Sequence, residues 1–228
     1  MNKITITGKN GLLSSKLQQL DPNIIPLPSK EFDIRNNIVN QLINLNPDVV
    51  IHAAALTDST KVKSNPIDFI QTNIIGTAHI SNYCIQNNKR LIYISTDYIY
   101  PGVTGDYKET DPIHPANDYA WTKLGGECSV RLVSNHLIIR TSFGSDLFPY
   151  KHAWVNQIVS KDYIDVIAPM ILKAVTSNLT GILNIGTSPK SIHEYAVEKN
   201  PFVLPLDKET SSNFSLNISK YEKLFNNQ

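Results

Sequence analysis

Six short runs rich in isoleucine and valine recur along this chain, and as a set they lack strict polar alternation. They are KITIT (3–7), NIIPL (23–27), DVVIHAAA (48–55), RLIYIS (90–95), HLIIRTS (136–142) and GILNIG (181–186). Strands covered on both faces of a parallel sheet read this way, whereas half-exposed strands alternate. Between the runs lie segments of helical period: LLSSKLQQL, NNIVNQLINL, DFIQTNIIGTAHISNYCIQNN and AWTKLGGECSVRLV. Strand and helix alternating in this order specify an α/β fold: a doubly wound parallel sheet with helices on both faces and right-handed crossovers. After Thr141 the rhythm weakens. Residues 143–161 read as an aromatic loop. A helix over YIDVIAPMILKAVTSN follows, then the strand GILNIG, a short helix near SIHEYAVEK, and a polar tail ending in ISKYEKLF. The expectation is one domain over 1–228, with 143–163 and 187–228 forming a small, reduced C-terminal lobe.

Composition removes several function classes. Twenty-one basic residues against twenty acidic leave a net charge of +1, so nothing electrostatic favours nucleic acid or an anionic membrane surface. No run approaches the roughly 20 apolar residues of a membrane span. The start MNKITITG carries no apolar signal region, so a cytoplasmic protein is expected and the sequons at Asn178, Asn213 and Asn217 carry little weight. Cys84 and Cys128 form no C-x-x-C pair, which suits a reducing compartment. The six histidines show no metal-ligand spacing, and no metal is expected.

The first strand runs directly into Gly8-Lys9-Asn10-Gly11-Leu12-Leu13-Ser14 and then into a helical pattern. A tight turn at Gly8 and close backbone approach at Gly11 would aim the first helix N-terminus at a pyrophosphate, as in a Rossmann-type dinucleotide site. The competing reading is an ordinary glycine-rich turn. The end of the second strand selects the cofactor, because an acidic residue there would bind a ribose 2′-hydroxyl. Here it reads Leu27-Pro28-Ser29-Lys30. Ser29 and Lys30 suit a 2′-phosphate, which favours NADP over NAD; a solvated loop charge is the other reading of Lys30.

The stretch YAWTK places Tyr119 and Lys123 one helical turn apart, and the strand RLIYIS ends at Ser95-Thr96, on the sheet edge where ligands bind in such folds. Reduction of a ketone needs a proton donor at the carbonyl oxygen and groups that stabilise the developing alkoxide. Tyrosine, with a pKa of about 10, is poorly matched to neutral pH, and an adjacent ammonium would lower it. Thr96 can hold the same oxygen. Tyr195 and Lys199 repeat the spacing but lack a strand-end hydroxyl before them, so that pair is assigned no role. Tyr93 and Tyr100 read as core or rim.

The motifs TGKNGLLS, NPDVVIHAAALTD, TNIIGTAHI, STDYIY, YKETDPIHPANDYAWTKLGGE and IIRTS, in this order across residues 1–142, resemble the extended short-chain dehydrogenase/reductases. Within that superfamily the chain is most similar to the dTDP-4-dehydrorhamnose reductase group. The resemblance implies an NAD(P)-dependent reductase of a keto-deoxy nucleotide sugar, with Tyr119 as acid/base, Lys123 binding the nicotinamide ribose, and Thr96 holding the carbonyl. It implies that Gly8, Lys9, Asn10, Gly11, Leu12 and Leu13 line the pyrophosphate turn. Asp33 and Ile34 would lie on the adenine side. Ala53, Ala54 and Ala55 would admit the cofactor to the third strand, with Thr57 at its edge. Asn73 would be a structural asparagine of the cofactor site, and Asp97 and Tyr98 would lie on the substrate side. Dimerisation through helices like those at 66–87 and 118–134 is also implied.

Departures from the pattern temper the substrate. Phe143 stands where the group usually has Trp, a Pro-Thr pair is missing, and SKDYIDVIAP closes the gap with Asp165 in place of a family aspartate. Two alternatives stay open. One is a non-catalytic, nucleotide-bound regulatory subunit resembling the methionine adenosyltransferase beta subunit; the other is a nucleotide-sugar epimerase. A dehydratase would place an acidic pair after Thr96, and only Asp97 is present.

Overall fold

In the computed structural model, which describes residues 2–225, the six apolar runs become strands of a single sheet. They are β1 (Ile4–Thr7), β2 (Ile25–Leu27), β3 (Val49–His52), β4 (Arg90–Thr96), β5 (His136–Thr141) and β6 (Gly181–Ile185). Their order is β2-β1-β3-β4-β5-β6, and every pairing is parallel. The register explains why the runs lack alternation. Ile6, Ile51, Ile92 and Leu137 form one row across four strands, while Val50 and Leu91 sit in the next row and point to the opposite face. Both rows are buried.

The connecting helices are α1 (Leu12–Leu20), α2 (Val39–Leu45), α3 (Pro66–Phe69), α4 (Gly76–Gln86), α5 (Asp118–Val130) and α6 (Ile164–Thr176). Leu13 and Leu17 of α1 join Ile167 and Ile171 of α6 over one face, and Leu42, Ile80 and Val130 cover the other. The chain leaves β1 toward β2 but leaves β3 toward β4, so the loops after β1 and β3 part. That divergence opens a crevice at the carboxyl edge of the sheet.

The expected aromatic loop over 143–161 is not unstructured. Phe143–Gly144 pairs with Asp162–Tyr163, and His152–Trp154 pairs with Leu204–Leu206. Gln157–Val159 is flanked by Lys190–Ser191 and Ser212–Asn213. With α7 (Ile192–Val197) these pieces enclose their own apolar cluster, including Ala153, Val159, Val203 and Phe214. The chain then returns to the sheet. Tyr107 N–H donates to Ser215 O (3.0 Å), Asn217 N–H donates to Tyr107 O (2.8 Å), and α8 (Ser219–Phe225) sets Tyr221 into the main core. Among the described residues no helix is long and apolar enough to cross a membrane, and no group of His, Cys, Asp and Glu could hold a metal.

Candidate active site

The turn after β1 is built around a backbone that only glycine adopts readily. Gly8 has φ +82°, and a methyl group there would stand 3.1 Å from Ala54 Cα. Gly11 N–H donates to Gly8 O (2.8 Å), and Gly11 then caps α1 with no side chain of its own. The first-turn amides of α1 therefore face outward without a side-chain cap, an arrangement that suits an anion.

Beneath the turn, a buried chain of hydrogen bonds ties β1 to β3 and to the helix beyond. Thr77 Oγ1 donates to Asn73 O (2.7 Å), so it must accept from His52 Nε2 (3.0 Å). His52 Nδ1 then accepts from Thr7 Oγ1 (2.8 Å), which in turn accepts from the amides of Ala53 and Ala54 (3.2 and 3.1 Å). Each hydroxyl has one proton to give, so the chain has one direction and the imidazole one tautomer. Burial holds His52 neutral, its pKa lowered to about 3. Asn73 lies in a π-helical turn (Ile70–Ile75) between α3 and α4. Its amide brackets the loop after β3, accepting from Leu56 N and donating to Leu56 O and to Thr122 Oγ1 of α5, each at 2.9 Å.

Asn117 starts α5 by accepting from Ala120 N–H (2.8 Å), which sets Tyr119 in the first turn and Lys123 one turn further on. The helix lies close on β4: a methyl group on Gly126 would stand 2.5 Å from Tyr93 Oη. It is anchored there by Glu127, which accepts from Ser95 Oγ (2.6 Å) and from Arg140 Nη2 (2.9 Å) with both charges fully buried. Lys123 is only 3% exposed, and its ammonium stands 4.1 Å from the Tyr93 ring centroid. Its backbone carbonyl accepts from Tyr93 Oη (3.2 Å), but the ammonium makes no hydrogen bond or ion pair with protein among the described residues, and burial lowers its pKa to about 7. Tyr119 departs from the sequence expectation. Burial, then Asp97 and Tyr98, push its phenol well above the ordinary value, and Lys123 has no part in the shift. The ammonium sits over Tyr93, so the phenol is held protonated.

A cavity of about 570 Å³ brings much of the expected site together. Gly8, Gly11, Leu12 and Leu13 line one end, Ala53, Ala55 and Thr57 the floor, and Thr96, Tyr98, Tyr119 and Lys123 the far wall. Other expected residues lie off this surface. Lys9, Asn10, Ser29 and Lys30 are exposed, and Asp33 is held by Arg35 in an ion pair (2.7 Å) that lowers its pKa. Ile34 is buried against Gly76, and Ala54 and Asn73 stand behind the lining. Asp97 is also behind the wall, 1% exposed, accepting from Thr96 Oγ1 (3.2 Å). Tyr195 packs on Tyr163, and Lys199 reaches Asp146 and Asp165, so neither joins the cavity. Sequence reasoning missed Lys161, which lines the cavity from the lobe side. Its only signal was the place of the missing Pro-Thr pair. The Thr7–His52–Thr77 chain was missed as well, because its members are spread over 70 positions of ordinary-looking core sequence.

Comparison with known proteins agrees with this architecture. The dTDP-4-dehydrorhamnose reductase of Aggregatibacter actinomycetemcomitans is 29% identical over 182 residues, covering 75% of this chain and 62% of that protein. The Salmonella typhimurium reductase of the same name is 37% identical over 152 residues, covering 61% of this chain and 50% of that protein. The chain thus spans about half to three-fifths of the curated relatives it matches. The Bacillus anthracis dTDP-4-dehydrorhamnose reductase, solved in complex with NADP, superposes with a TM-score of 0.88 at 25% identity, covering 98% of this chain and 91% of that one. The Bordetella bronchiseptica enzyme WbmG, solved with NAD and UDP, shares the fold with a TM-score of 0.77 at 16% identity. The model of the RmlD substrate binding domain matches residues 1–163, and the chain belongs to that family.

Proposed function

We propose that this chain is an NAD(P)-dependent reductase of a 4-keto-6-deoxy nucleotide sugar, with NADP the favoured cofactor. The observation that carries the reading is the wall of one cavity on which Thr96, Tyr119 and a buried, unpartnered Lys123 converge, opposite the Gly8 turn. The chain's residues fit a dinucleotide. A side chain at Gly8 would fill the approach to Ala54, the α1 amides are free to take a pyrophosphate, and Lys123 needs an oxygen partner that a ribose hydroxyl supplies. Ser29 and Lys30, exposed beyond β2, would meet the 2′-phosphate, with Asp33 and Ile34 near the adenine. When bound, the nicotinamide supplies the hydride.

The remaining requirements fall to this chain. Thr96 Oγ1, whose one proton goes to Asp97 Oδ1 in this structure, would turn that proton to the carbonyl oxygen and orient it. Tyr119, protonated at neutral pH, gives that oxygen its proton as negative charge develops. Asp97, Tyr98 and the small lobe border the sugar. The dTDP-4-dehydrorhamnose reductases named above support this substrate class. The test is NADPH oxidation with a panel of 4-keto-6-deoxy nucleotide sugars. Tyr119→Phe should lower kcat by about 10²- to 10⁴-fold with cofactor binding retained. NADPH binding without turnover of any keto sugar would instead favour the regulatory-subunit reading.

We also propose a homodimer through 66–87 and 118–134, supported by the exposed Ile67, Ile70 and Trp121 on this face. Ile67→Glu with Trp121→Lys should convert a dimer to monomer in analytical ultracentrifugation; a monomeric wild type would end the idea.

A further inference from the structure

Tyr93 reads in the sequence as core or rim, and it is fully buried at the centre of β4. It nevertheless makes two contacts with one residue of the cavity wall. Its hydroxyl donates to the backbone carbonyl of Lys123 (3.2 Å), and the Lys123 ammonium stands over the ring of the same tyrosine, 4.1 Å from the centroid. The ring has little freedom to turn. The His52 ring lies against it with centroids 5.6 Å apart, and a methyl group added at Gly126 would stand 3.0 Å from its Cζ. Among the described residues no carboxylate pairs with the ammonium. Glu127, one turn further along α5, is spent on Ser95 and Arg140. His52 is neutral, and Tyr119 keeps its proton.

A buried ammonium needs a source of negative potential, and one that is to bind a ligand needs its N–H donors free. A carboxylate meets the first need by occupying donors. The face of a neutral ring meets it with the negative side of its quadrupole and leaves donors over. Tyr93 stays neutral, because burial, then Glu127 and Tyr119, push its phenol well above the ordinary value. We propose that Tyr93 is a positioning residue, whose ring face seats the Lys123 ammonium at the cavity wall with N–H donors left for a ribose hydroxyl. The ribose rests on the reductase reading; the seat itself does not.

Tyr93→Phe keeps the ring face and removes the hydroxyl, whereas Tyr93→Leu removes both. In fluorescence titration of the full chain with NADPH, without any sugar, affinity should fall about tenfold in Tyr93→Leu and stay within about threefold of wild type in Tyr93→Phe. In a Lys123→Met background, Tyr93→Leu should cost less than about threefold, because no ammonium is left to seat. A loss there as large as in the wild type would mean packing alone and would overturn the seat. So would unchanged affinity in Tyr93→Leu, or equal losses in Tyr93→Leu and Tyr93→Phe. A further readout needs no Tyr93 variant to fold. With isotope-labelled lysine, the Lys123 ε-methylene protons, assigned by their loss in Lys123→Met, should resonate upfield of their position in urea, as protons above an aromatic face do. An unshifted methylene would overturn the seat and leave the reductase reading intact. The expected pattern without turnover of any keto sugar would leave the seat standing and remove the reductase reading. A wild type that binds no NADPH would remove both.

Discussion

Thr7 shows how much one hydroxyl settles. It gives its proton to His52 Nδ1 and receives those of Ala53 and Ala54, so Thr7→Val leaves two amides and a ring nitrogen without a partner in the core. The expected cost is about 2–4 kcal/mol in urea denaturation, as for other buried groups left unpaired. His52 links the same spot to pH. Its folded pKa of about 3 lies below the unfolded value near 6.5, so the unfolded chain binds the proton first. Its contribution is intact above about pH 6.5 and is lost as pH falls toward 3, at up to about 1.4 kcal/mol per pH unit. Asp97, whose pKa is raised to about 6, titrates over an overlapping range with the opposite sign. The His52 effect is therefore read as the difference between wild type and His52→Gln in melts from pH 7 to 4. The residue types at these positions are visible in the sequence. Their partnership is not, since threonine and histidine in apolar runs carry no mark of what they face.

Helix α5 carries Tyr119 and Lys123, and its seating depends on one buried ion pair. Glu127 binds Ser95 of β4 and Arg140 of β5, so a single carboxylate fixes the helix against two strands. Glu127→Ala leaves the Arg140 guanidinium buried without its counter-charge and should cost about 3–5 kcal/mol in chemical denaturation. The turn from β1 to α1 depends on a single residue in a similar way. Gly8→Ala must hold φ +82° with a methyl group pressed on Ala54, an expected cost of about 1–3 kcal/mol. Fluorescence titration with NADPH should show weaker binding in the same variant, because the turn would have to shift. At this scale the sequence was read well. The six main strands and the helices between them followed from apolar periodicity, and the glycine turn from its placement after the first strand. The pieces of 143–161 were misread as loop because each strand there has three residues or fewer. Gln157–Val159 finds its partners at Lys190–Ser191 and Ser212–Asn213, too far along the chain for any local pattern to announce.

Across the whole molecule, the lobe has its own apolar cluster, yet the chain beyond it returns to pair with Tyr107 and to insert Tyr221 into the main core. That return should make lobe and sheet unfold together. The two tryptophans offer the measurement, since Trp121 lies on α5 and Trp154 in the lobe. In Trp121→Phe and Trp154→Phe, the remaining fluorophore should report the same urea midpoint within error. Separate midpoints would mean the lobe opens as an independent unit. The sequence alone determined the α/β alternation, the glycine turn, and the Thr96, Tyr119 and Lys123 set, because each rests on spacing within a strand, a turn or a helix. Only the tertiary structure decided the order β2-β1-β3-β4-β5-β6 and the single direction of the Thr7–His52–Thr77 chain. It alone raised the Tyr119 pKa where an adjacent ammonium was expected to lower it, and it alone brought Lys161 from the lobe into the cavity. The physical reason is common to all of these. Burial and long-range pairing are properties of neighbours in space, and local periodicity carries no record of which distant residues those will be.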